Sequence, residues 1–158
     1  MDKFEKIIIK NGVNAFLAIQ AFMFRKTIFN NLGYKLNSFI AQLTIKRKKI
    51  NEAKTLDELG ESWQKGFPSK KQVPITEKDN KTVYGEIHTK CPLRGTDDVS
   101  ACYKMMSYDR EIVSKAGGQF IILQSQATKG IEKCKIAIRF KEESSSDLQQ
   151  AHEKITTK

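Results

Sequence analysis

The chain has 158 residues, 39% hydrophobic and 29% charged, with a formal net charge of +10. That composition excludes disorder of the whole chain and supplies enough length for one domain with a sizeable core. The excess of cations admits nucleic acid, an acidic membrane surface or an anionic small ligand as partner, and selects none of them.

Taken in chain order, the opening MDKFEKIIIK lacks the basic-then-apolar order of a secretory leader. The longest uncharged run, NGVNAFLAIQAFMF (11–24), is too short and too rich in amides for a membrane span. With three cysteines, an odd number, the expected setting is reducing and cytoplasmic. Phe4, Ile8, Phe16, Ile19, Phe22 and Met23 recur at helical spacing and predict a long helix over 3–31, with Gly33 as its stop. A second helical piece, LNSFIAQL (36–43), runs into the basic KRKK at 46–49, read as a solvated face. Thr55 and Glu58 have capping-box spacing before a short helix that carries Leu56, Leu59 and Trp63 and ends at Phe67-Pro68.

Residues 68–80 read as a polar loop with a short strand near Val73, and TVYGEIHT (82–89) as a strand. Asp97 or Asp98 can cap a helix that runs to Lys115 and is terminated by Gly117-Gly118. QFIILQSQA (119–127) and GIEKCKIAIRF (130–140) are the closing strands. In the last of these Cys134, Ile136, Ile138 and Phe140 alternate with more polar residues and share one buried face. Helices, then strand, helix and strand pair predict an α+β domain over 1–141 with a mostly antiparallel sheet. The polar tail 142–158 is expected to be frayed or an exposed helix.

On the helix 98–116, Cys102 and Asp109 are seven residues apart and fall on one face with Met106 and Val113. An aspartate on an apolar stripe needs a partner, for which Arg110, Arg94 and Arg139 are the candidates, or a place in a pocket as ligand-binder or base. Cys91, Cys102 and Cys134 match no close pair of the structural zinc type, yet long-range folding leaves a site for a metal such as zinc open. His88 would join Cys91 only through a bulge at Pro92. RGTDD (94–98) enters a helix N-terminus beside Arg94, a candidate carboxylate or phosphate site without the glycine spacing of a phosphate loop.

ILQSQATKGIEKCKIAIRF resembles the C-terminal hairpin of the 4-vinyl-reductase domain and of the L-2-amino-thiazoline-4-carboxylic acid hydrolase family, through Gly130, Cys134, Ile136 and Ile138. HTKCPL before a helix with a second cysteine, Cys91 and Cys102 here, resembles the hydrolase-like family further. The pattern departs at Gln126, where the vinyl-reductase type often has a cysteine. The resemblance implies a pocket between sheet and helices that takes a small organic molecule, with Cys134 in its wall or in the core. The expected lining is Cys91, Cys102, Met106, Asp109, Ser125 and Cys134, with Arg94 or Arg110 anchoring an anionic group. The alternative is a hydrolase of a small cyclic C–N or C–S substrate, with Cys91 or Cys102 as nucleophile or metal ligand and Asp109 as base. A basic nucleic-acid-associated protein is a third reading. The broad apolar stripe of the first helix and exposed strand edges make a homodimer an expected assembly.

Overall fold

The computed structural model describes residues 3–153, with side chains from residue 12 onward. The chain is an α+β domain, with α1 (Lys3–Arg25), α2 (Asn30–Lys48) and α3 (Leu56–Gln64) preceding β1 (Ile75–Lys78) and β2 (Val83–Ile87). Then come α4 (Val99–Met105), α5 (Ser107–Lys115), β3 (Gly118–Gln124) and β4 (Cys134–Phe140). The four strands form one antiparallel sheet in the order β1-β2-β4-β3. No helix among the described residues is long and apolar enough to cross a membrane.

The register explains the alternation in β4. Val83 pairs with Ile138 and Ile138 with Phe120; Gly85 pairs with Ile136, and Ile87 with Cys134. These residues face the helices, and α3 and α5 lie against them. Gly85 has to lack a side chain, because a Cβ there would stand 2.8 Å from the Trp63 ring. The indole of Trp63 is fully buried.

Three expectations change. The long first helix ends at Arg25, and Gly33 lies inside α2 rather than stopping α1. Gly33 is there for close approach: a Cβ would come within 2.8 Å of the Phe24 ring that packs α1 onto α2. The expected strand near Val73 is a single 3-10 turn, Lys70–Gln72, followed by β1. The third change is in the tail. Its first twelve residues, 142–153, fold back along the sheet, with Ala151 N–H donating to Ile122 O at 2.7 Å and Asp147 gripping Arg139. Arg139 and Ala137 are therefore buried on the far face, so β4 is covered on both sides. Residues 154–158 of the tail, and the side chains of Phe4 and Ile8, lie outside the described residues.

Other expectations hold. Thr55 caps α3 by accepting from Glu58 N–H at 3.2 Å, and Glu58 accepts from Lys54 N–H at 2.8 Å. Asp98, not Asp97, caps α4 through Ala101 N–H at 2.9 Å. KRKK closes α2 as an exposed turn, where cations meet the negative end of the helix dipole.

Candidate functional site

The expected helix 98–116 breaks at Met106, whose backbone (φ −71°, ψ 8°) leaves the helical region between α4 and α5. Buried Asn37 from α2 fills the break, donating to Met105 O at 3.0 Å and to Ser107 Oγ at 2.8 Å. Gln20 of α1 donates in turn to Asn37 Oδ1. This chain of amides ties both N-terminal helices to the break, so α4 and α5 present their inner faces to one space.

That space is a cavity of about 270 Å³ between sheet and helices. Ile87 and Cys134 come from the sheet, Cys102, Met106 and Asp109 from α4, the break and α5, and Phe16 and Leu17 from α1. Cys91, Pro92, Phe67 and Pro68 close it from the loops. Five expected site residues thus meet here: Cys91, Cys102, Met106, Asp109 and Cys134.

The other three do not line it. Ser125 is buried behind the wall, with its Oγ accepting from Ala127 N–H at 3.0 Å. Arg94 reaches Gln126 Oε1 from Nε and Nη2 at 3.1 and 2.9 Å, and also the Glu132 carbonyl. Arg110 donates to Tyr103 O at 2.8 Å and lies over the Tyr103 ring at 4.0 Å. Neither arginine is free to anchor an anion in the cavity. The RGTDD loop is no anion cradle either, since Gly95 and Asp97 N–H bond to Gln126 and Ala127 carbonyls and Asp98 takes that of Ala101.

Asp109 is 6% exposed, and its partner is none of the three expected arginines. Trp63 Nε1–H donates to its Oδ1 at 2.9 Å, and no cation is bonded to it among the described residues. Burial pushes the carboxyl up to about 6, an effect that the indole hydrogen bond and the Arg110 charge only partly offset. Gln72, also on the lining, has a buried Oε1 without a hydrogen-bond partner among the described residues. The neighbouring polar groups are engaged elsewhere. Tyr108 donates to Gly66 O at 2.8 Å, and Gln126 bonds with Ile87, Thr89, Cys91 and Arg94.

Gln126 entered the sequence reading only as a departure from a resemblance, and its role as a hydrogen-bond hub was missed. It pins the loop 88–94 to the end of β3 through bonds with Ile87, Thr89, Cys91 and Arg94. Only a buried amide beside a strand end could have signalled it.

All three thiols are free. Burial raises Cys91 to about 11. Cys102 donates to Cys134, which together with burial holds its own proton on more firmly. Cys134 is the more readily ionised of that pair, because it accepts from Cys102 and, at 3.4 Å, from Gln126 N–H. Among the described residues no three His, Cys, Asp or Glu side chains are grouped to hold a metal ion. His88 faces solvent, bonded to Glu86 at 2.7 Å, and does not join Cys91. In comparisons with known proteins, the chain matches no family model, no curated protein and no solved structure.

Proposed function

We propose that the protein is an intracellular binding domain for a small, mostly apolar molecule that carries an ammonium or other N–H donor group. The observation behind this reading is Asp109. A carboxyl on an apolar cavity wall, held by one neutral side-chain donor, keeps accepting capacity for a ligand. Gln72 Oε1 adds a second unused acceptor on the same lining. Complementarity therefore favours a donor: Arg94 and Arg110 are engaged elsewhere, and Lys90, the one cation on the lining among the described residues, is exposed to solvent at its rim. The reading keeps the binding role implied by the resemblance to 4-vinyl-reductase-type domains, without a metal.

The hydrolase alternative asks for a thiolate at Cys91 or Cys102. With Cys91 at about 11, on the order of one molecule in a thousand or fewer would carry it near neutral pH. Binding without turnover is the better-supported use of these residues.

Three matched probes test the proposal: 1-naphthylmethylamine, 1-naphthylmethanol and 1-naphthoate share a ring system and differ in head group. Thermal unfolding with each at equal concentration should rank the amine first, because ligand that binds the folded state raises the melting temperature. Asp109→Asn should erase the amine's advantage. A naphthoate that stabilises most would overturn the reading.

A further inference from the structure

The α1–α2 hairpin has a second apolar face. Gly33, Asn37, Ala41 and Ile45 form the buried stripe of α2. Leu32, Phe39 and Leu43 are exposed, and at 100° per residue they lie on the opposite side of the same helix. Ile19 and Phe22 of α1 are exposed too, and Ile28, at the turn between the helices, is 83% exposed. Phe22 and Phe29 pack ring to ring at 5.9 Å, so the end of the hairpin is a cluster of large apolar side chains. A helix apolar on two opposite faces calls for a second apolar neighbour.

The charges on the hairpin itself have one sign. From Lys6 to Asn51 the sequence holds nine Lys or Arg and no Asp or Glu. Arg25 and Lys26 flank the apolar tip, Lys35 follows on α2, and Lys46 to Lys49 close it. Of these cations, Arg25 alone has an ion pair among the described residues, with Asp98 at 3.6 Å. Glu111 of α5 reaches the flank of α2 at Ser38 and Gln42.

We propose that this outer face of the hairpin docks on the surface of an anionic lipid bilayer, with Phe22, Ile28, Leu32 and Phe39 entering the headgroup–acyl boundary and the flanking cations meeting lipid phosphates and carboxylates. The charge pattern decides among occupants. A second copy would set cations against cations, with no carboxylate on either hairpin between residues 6 and 51 to pair with them. Nucleic acid would satisfy the lysines and leave exposed Leu, Ile and Phe without an apolar phase. A bilayer surface supplies both, and an interfacial helix of this type gains from apolar burial and from each cation near the anionic surface.

Co-sedimentation of the full chain with extruded vesicles tests this. On phosphatidylcholine containing phosphatidylserine, the bound fraction should exceed that on phosphatidylcholine alone by about tenfold or more and fall in high salt. The double variant Ile28→Asp/Phe39→Asp changes only exposed positions; with an unchanged melting temperature, it should lose the binding. Failure to bind the anionic vesicles, as expected if the true partner is an acidic protein, would overturn the proposal. So would binding that the double variant retains, or a wild-type dimer in sedimentation equilibrium that the double variant splits.

Discussion

The Asp109 carboxyl takes up its proton near pH 6 in the folded protein, whereas an aspartate in the unfolded chain does so near about 4. Between those values the folded state binds more protons, so stability falls as pH rises from about 4 to about 6. Above that window the buried carboxylate costs the fold as much as about 3 kcal/mol. Asp109→Asn keeps an oxygen for the Trp63 indole and removes the charge. Urea unfolding should therefore find the variant more stable than the wild type at pH 7.5, with the difference gone by about pH 4. A variant less stable at pH 7.5 would show that the carboxylate is better solvated or better paired than its burial implies. The residue scale also shows where sequence reasoning stopped. Helical periodicity puts Cys102, Met106 and Asp109 together, because the break at Met106 leaves all three on the cavity lining. The partner of Asp109 could not be read the same way. Trp63 lies 46 residues away, and only the packing of α3 on the sheet brings it there.

Among the elements, the break between α4 and α5 is held by Asn37, and Asn37 by Gln20. Asn37→Ala would leave the buried Gln20 without that acceptor and Met105 O without that donor, a loss of about 1–3 kcal/mol. The urea midpoint should drop with the slope unchanged, the mark of lost stability without a changed unfolded state. Local signals were legible at this scale: the Thr55–Glu58 cap, a cap at Asp97 or Asp98, the alternation in β4 and the glycine exit at Gly117 each lie within a few residues of what they cause. The end of α1 was not, because the turn at Lys26 contains no glycine or proline. Gly33 misled for a different reason: its role is set by the Phe24 ring packed across it.

At the scale of the molecule, the order of helices and strands was enough for the α+β class, while the covering of the sheet's second face was not. The tail carries few apolar residues, and beside the Ala151–Ile122 backbone bond it is held by the ion pair of Asp147 with a guanidinium that is almost fully buried. That pair holds the Asp147 carboxyl well below the usual range. A depressed pKa adds stability above about pH 4 that disappears as pH falls through the folded value. Asp147→Asn should accordingly lower the melting temperature at neutral pH, and the gap should narrow in strong acid. A gap that stays constant down to pH 2 would mean that the tail is held by shape rather than charge.

These scales meet in the cavity, where α1, α2, the broken helix and the sheet converge on one carboxyl group. Isothermal titration of 1-naphthylmethylamine into the wild-type protein at pH 7.5 and pH 5.0 tests the central claim, recognition by the Asp109 carboxylate, most directly. Protonating that carboxyl should weaken binding about tenfold at pH 5.0, given its folded value of about 6. Equal affinity at the two pH values, or no binding at either, would contradict it.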